Sequence, residues 1–159
     1  MSYFMNEITA AKSEIKGSEK YPDIHGSAAF VTTDIGTMAT ISVYGLPESS
    51  DPCEYGVFGV HIHAGNSCSG NADDPFANTL SHYDKNSCPH PYHTGDMPPL
   101  FSCNGTAHNA FVTCKFTPAD VIGKTVVIHL HPDDMHTQPS GNSGEKIACG
   151  EITAMTDLN

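Results

Sequence analysis

Short runs of alternating apolar and polar residues recur along the chain, and sustained helical periodicity is scarce. In Thr37 to Tyr44, the residues Ala39, Ile41 and Val43 alternate with Met38, Thr40, Ser42 and Tyr44, the period-two signature of a strand with one buried face. Ile24 to Thr33 reads as the strand before it, joined through Asp34-Ile35-Gly36 as a short hairpin. Upstream, Met1 to Ala10 reads as a loosely docked end. Ile8 to Lys16 admits a helical turn on propensity or an edge strand near Ala11 to Lys16, and Gly17 to Asp23 is a turn. Gly45 to Tyr55 is a loop marked by Pro47 and Pro52, and Val57 to His63 is the next strand. Leu100 to Cys103 and Thr106 to Phe116 flank Asn104-Gly105, a strong two-residue hairpin turn. Thr117 to Gly123 connects to a strand over Lys124 to Leu130, and Ile147 to Ala154 closes the sheet. Ala64 to Pro99 and His131 to Gly144 carry almost no strand or helix signal. The first of these, 36 residues long, exceeds an ordinary connection; it is functional or needs cross-linking to stay ordered.

Length and composition narrow the class. A chain of 159 residues is most simply one domain, and its 14 Gly and 11 Pro beside recurrent Val, Ile, Thr, Phe and Tyr favour an all-β domain with long loops. The net charge of −11 opposes nucleic acid or an anionic membrane as partner. It also opposes long-range steering of an anionic substrate, so any such attraction must be local. No run of 18 apolar residues exists to span a membrane. Met1 to Lys20 lacks the apolar core of a secretory signal, which points to the cytoplasm unless a leader has been removed. Six cysteines pull towards an oxidising compartment, and fifteen full pairings are open to six thiols. The Asn104-Gly105 turn sets Cys103 opposite Thr106 and leaves Cys114 far down the hairpin, so those two are not expected to pair. Asn104-Gly105-Thr106 also matches a glycosylation acceptor.

The chemistry concentrates between Val60 and Asp96, where five of the ten histidines fall. His61 and His63 flank Ile62 on a strand, so both imidazoles project from one face and can chelate one ion. Two surface histidines would explain that pair alone equally well. His82, His90, His93 and Asp96 form a denser set whose residue types suit a tetrahedral zinc; the bland alternative is a polar loop with incidental histidines. His129 sits on a Val-Val-Ile strand, where a lone histidine is more often a hydrogen-bonded core residue. With Asp133 and Asp134 following it, it becomes a candidate ligand. His25, His108 and His136 have no partner pattern.

From about Lys16 to Ile152 the chain resembles copper/zinc superoxide dismutase, most like its bacterial, leaderless branch. The resemblance rests on Gly59-Val60-His61-Ile62-His63, His82, the His90 and His93-Thr94-Gly95-Asp96 group, Val127-Ile128-His129 with Asp133, and Gly141 to Gly150, five motifs in the family's order. It implies an N-terminal extension over 1–15 and a domain over 16–159. The implied fold is an eight-strand Greek-key β-barrel or sandwich, immunoglobulin-like, with the metals outside it on two long loops. It further implies copper on His61, His63, His82 and His129, and zinc on His90, His93 and Asp96 with His82 bridging the two metals. Asp133 would tie ligands of both metals together, and Cys68 and Cys149 would form a disulfide anchoring the metal loop. A Cys53 to Cys88 pairing is a guess. The implied activity is superoxide disproportionation, with superoxide as small anionic partner, His82 and Lys146 as catalytic groups and a homodimer as an open assembly.

Several positions depart from the family pattern. Lys146 stands where the family usually carries a guanidinium, and an ammonium lacks the fork of donors. The loop from His131 to Gly144 is shorter than usual and the His90 to His93 spacing is compressed. Ala64 replaces a carboxylate, and His131 offers a competing ligand. These departures keep two other readings in view: a copper- or zinc-binding storage or delivery module with weak turnover, and a copper-only dismutase.

Overall fold

A computed structural model describes residues 9–54 and 56–155; most of the loosely docked end expected at Met1 to Ala10 lies outside them. Among the described residues nine strands form one antiparallel sheet: β1 (Ala10–Gly17), β2 (His25–Thr33), β3 (Gly36–Tyr44), β4 (Val57–Phe58), β5 (Val60–His63), β6 (Leu100–Cys103), β7 (Thr106–Thr113), β8 (Thr125–His129) and β9 (Lys146–Ala154). Their spatial order is β4-β6-β7-β3-β2-β1-β9-β8-β5. The two ends of that order, β4 and β5, are joined through Gly59 alone, so the chain itself closes the sheet into a barrel.

The fold class is the all-β barrel expected, and its strand count differs for one local reason. At Gly59 the single strand expected over Val57 to His63 changes partners, β4 pairing with β6 and β5 with β8. The Gly59 N–H turns outward to the His131 carbonyl at 2.8 Å, while its own carbonyl accepts from the His129 N–H at 2.8 Å. The chain crosses the barrel ends twice, from β3 to β4 and from β7 to β8, which is Greek-key connectivity. The second crossing carries a short helix, α1 (Pro118–Val121), closed at its start by a reciprocal Thr117–Asp120 capping box.

β1 resolves the open choice near the N-terminus in favour of a strand, and not an edge one. It pairs with β2 on one side and β9 on the other, and it runs through positions 15 and 16. Ala11, Ser13 and Ile15 point into the core while Lys12, Glu14 and Lys16 face solvent. That one-sided pattern is the same for an edge and an interior strand, so the sequence could not separate them. The core gathers Ile15, Phe30, Ile41, Ile62, Leu100 and Ile128, with Phe30 edge-on to Phe116 at 5.7 Å between ring centres. Among the described residues no helix is long and apolar enough to cross a membrane.

Cys68 and Cys149 form a disulfide that closes a separation of 81 residues, about 4–5 kcal/mol of stabilisation on the chain-entropy account. Phe76, Val127 and Cys149 pack as a small second core beneath it. Cys53, Cys88, Cys103 and Cys114 are free, so the guessed Cys53–Cys88 bridge is corrected. Each is held in its own turn: the Cys53 N–H bonds the Asp51 carboxylate and the Cys88 N–H that of Asp84.

Phe30 is fully buried. Its truncation, Phe30→Ala, should cost about 3–5 kcal/mol through lost packing and a cavity, read from equilibrium urea unfolding. A cost under about 1 kcal/mol would mean the core is not centred there.

Candidate metal centre

Ile62 organises the site from inside the barrel. Its side chain enters the core while its N–H donates to the Gly95 carbonyl and its carbonyl accepts from the Tyr83 N–H, both at 2.8 Å. The long loop is thereby laid along β5 as a partial extra strand, and His61 comes opposite Asp96 and His63 opposite His82. Gly95 permits this approach, because a Cβ there would lie 2.2 Å from the Ile62 carbonyl oxygen. His61 and His63 do share a face, as strand alternation requires, but that face is covered and both are buried.

The hydrogen bonds decide which ring nitrogens are free. His63 Nδ1 lies 2.8 Å from the Leu80 carbonyl and His129 Nδ1 3.1 Å from the Gly144 carbonyl. A carbonyl only accepts, so both Nδ1 atoms carry the proton and both Nε2 atoms present lone pairs. His61 Nε2 donates to Asp133 at 2.7 Å, which leaves its Nδ1 buried without a partner, and His82 Nε2 is likewise unpartnered. His63 Nε2 and His129 Nε2 face each other at 3.2 Å. Two lone pairs at that distance repel, whereas metal–nitrogen bonds of ~2.0–2.1 Å in a tetrahedral arrangement set donors about 3.3 Å apart. The donor atoms of His61, His63, His82 and His129 all lie within 4.8 Å of one another.

A second set shares His82. The donor atoms of His82, His90, His93 and Asp96 also fall within 4.8 Å of each other. Asp96 Oδ1 is 2.8 Å from His82 Nδ1, and its Oδ2 is 3.2 and 3.3 Å from the Nδ1 atoms of His90 and His93. The Nδ1 atoms of His90 and His93 are buried with no hydrogen-bond partner. Orphaned buried nitrogens beside one carboxylate are costly unless something fills the space between them, and this donor set fits zinc.

Asp133 joins the two sets. Its Oδ2 accepts from His61 and its Oδ1 from His90, at 2.7 and 2.8 Å, and its side chain is 1% exposed. Gly141 lies so close that a Cβ there would strike the Asp133 carboxylate and the His90 ring. Of the other positions singled out in the sequence, His131 is exposed and outside both sets, His25 and His136 bond within their own turns, and His108 bonds Ser42 across the β3–β7 pairing. Lys146 is turned to Asp74 rather than free in solvent. Sequence reasoning missed Gln138, whose side chain accepts from the His90 N–H at 3.0 Å and donates to the His90 carbonyl at 2.7 Å. No spacing rule could have paired residues 48 apart across two loops.

Against known proteins, the family model for copper/zinc superoxide dismutase matches residues 24–152. The chain belongs to the copper/zinc superoxide dismutase family. It is 33% identical to the superoxide dismutase [Cu-Zn] of Deinococcus radiodurans over 150 residues, covering 83% of this chain and 79% of the relative. It is 30% identical to that of Legionella pneumophila over 135 residues, covering 80% and 76%. The solved copper/zinc superoxide dismutase from Brucella abortus superposes with a TM-score of 0.74 at 22% identity over 89% of this chain and 98% of that one, a likeness of fold. Copper and zinc are thus the cofactors of this dismutase-family chain, and the two donor sets fit them.

The electrostatics predict how the metal-free protein responds to acid. Burial holds His61 down at about 4, against an opposing Asp133 bond, and burial with the nearby His61 holds His129 at about 3, both from 6.5. Burial raises the Asp133 carboxyl, but bonds from His61, the Met135 N–H and His90 outweigh it and leave it well below the carboxylate range. Below pH 6.5 the unfolded chain therefore binds more protons than the folded one. Stability should be full above that pH and fall as pH drops through 4 towards 3. The urea midpoint of the metal-free protein should decrease steadily from pH 7 to pH 4; a flat profile would contradict buried neutral histidines.

Proposed function

We propose that the protein disproportionates superoxide, two superoxide anions and two protons giving oxygen and hydrogen peroxide, with copper on His61, His63, His82 and His129 and zinc on His82, His90, His93 and Asp96. The observation that carries this reading is the sharing of one imidazole, His82, between two four-residue donor sets, the first buried throughout and the second buried at His82 and His90. Copper, when bound, supplies the one-electron couple that takes an electron from one superoxide and returns it to the next.

The chain's own groups supply the rest. His82 faces Asp96 through Nδ1 and the other histidines through Nε2, so a proton held at Nε2 and then released has a fixed position beside the reacting anion. Asp133 and the carbonyls of Leu80 and Gly144 hold the rings in the tautomers that expose their lone pairs. Lys146 places a positive charge next to His129 on the adjacent strand, where a small anion is drawn in. Convergence of His90, His93 and Asp96 despite their compressed spacing supports a zinc partner over a copper-only centre.

A second reading, a metal storage or delivery module with weak turnover, is favoured by the pairing of Lys146 with Asp74, which leaves no free ammonium there. The exposed free thiols of Cys53, Cys103 and Cys114 support the cytoplasm as the compartment, and the Cys68–Cys149 disulfide supports an oxidising one instead.

Metal analysis beside the dismutation rate tests the reading: one copper and one zinc per chain with fast, cyanide-sensitive turnover is expected, and bound metal with negligible turnover would move the assignment to the storage module. His129→Ala should cut the rate more than roughly a hundredfold while zinc stays bound; unchanged turnover would point to another ligand. Lys146→Arg should raise the rate or leave it alone, and a large fall would show that Lys146 does not serve the anion.

A further inference from the structure

The cation beside the copper set is not free to act alone. Lys146 opens β9 in register with His129 of β8. Its Nζ donates to Asp74 Oδ2 at 2.8 Å and to the Phe76 carbonyl at 3.1 Å, and its side chain is 16% exposed. Asp74 is as firmly held as its partner. Its N–H donates to Asn71 Oδ1 at 3.0 Å, its carbonyl accepts from the Asn71 and Ala77 N–H groups, and its Oδ1 accepts from the Phe76 N–H at 2.9 Å. Phe76 in turn packs with Cys149 and Val127, with Cys68 against them, so the disulfide pins this segment to the barrel.

An ordinary surface ion pair contributes little because two floppy side chains must be ordered to make it. Here the carboxylate is ordered by its own turn, and one of its oxygens is left for Lys146. Burial pushes the Asp74 carboxyl up, yet the Lys146 bond and the Phe76 N–H outweigh it and keep the group below the usual range. Lys20, also near this segment, is bound to Glu145 at 2.8 Å. An anion approaching His129 thus meets paired charges rather than a bare ammonium, in a chain whose net charge is −11.

We infer that Asp74 is a positioning residue for the dismutation site: it fixes the Lys146 ammonium beside the copper ligands and, by partly neutralising it, sets how strongly the site attracts a small anion. The inference rests on the functional reading above, since it needs copper at His129 and an anionic substrate. It assigns to a loop carboxylate 72 residues from Lys146 the tuning that the departure from a guanidinium at position 146 leaves open.

Azide, a small anion, is the probe, titrated into the copper- and zinc-loaded full chain and followed by visible absorption at low and moderate salt. Asp74→Asn removes the charge and leaves Lys146 its Phe76 carbonyl, so azide should bind about three- to tenfold more tightly and lose affinity more steeply with salt. Asp74→Glu should restore the parent affinity and salt slope, which a merely structural role for the turn would not do. Asp74→Asn with parent copper and zinc content but unchanged azide affinity and salt slope overturns the inference. If Asp74→Asn does not fold, Lys146→Gln decides: an uncompensated Asp74 should weaken azide about tenfold, and unchanged affinity overturns it. A parent protein that takes up no copper overturns the functional reading first and this inference with it.

Discussion

Asp133 accepts a hydrogen bond on each carboxylate oxygen, from His61 on β5 and from His90 on the long loop, and the rest of the centre depends on that double contact. It ties the barrel, the first loop and the second loop at one buried point. It also fixes the tautomers, because a histidine that donates from Nε2 must present its lone pair at Nδ1. Removing one partner would strand a buried charge or a buried donor, which costs far more than an exposed pair of the same type.

Around that point the protein spends stability on readiness. Four imidazoles of the first set are buried close enough to repel one another when protonated, and two of their nitrogens have no hydrogen-bond partner. Such an arrangement persists only when the surroundings over-determine it. The barrel supplies that constraint through the Ile62 backbone, the close approach at Gly95, the Gln138 clamp on His90 and the disulfide from Cys68 to Cys149. The free energy that a metal would contribute on binding is therefore available for folding as well as for chemistry.

The copper side and the anion side of the site are built by different means. The candidate donors sit on strands and on loop segments bonded to strands, positions with little freedom. Lys146, the cation we propose to meet the anion, is aimed by Asp74 and the Phe76 carbonyl in the disulfide-anchored segment. The two are nonetheless joined: the turn whose Phe76 carbonyl receives Lys146 runs on to Leu80, whose carbonyl holds His63, and β8–β9 pairing sets Lys146 beside His129.

Much was legible from local pattern alone. Alternation over Thr37 to Tyr44, the Asn104-Gly105 turn and the same-face placement of His61 and His63 are properties of short segments, and each appears in the structure where the pattern put it. The candidate donor residues were legible because histidines crowd into one stretch of the chain, and the order of the motifs carried the family. What the tertiary structure alone decided was who meets whom across long separations. The interior position of β1, the partner change at Gly59, the Gln138 clamp and the Asp74–Lys146 pair leave no local signature. A strand's alternation reports which face is buried, not which strands flank it, and a loop residue's chemistry does not reveal its partner 72 positions away.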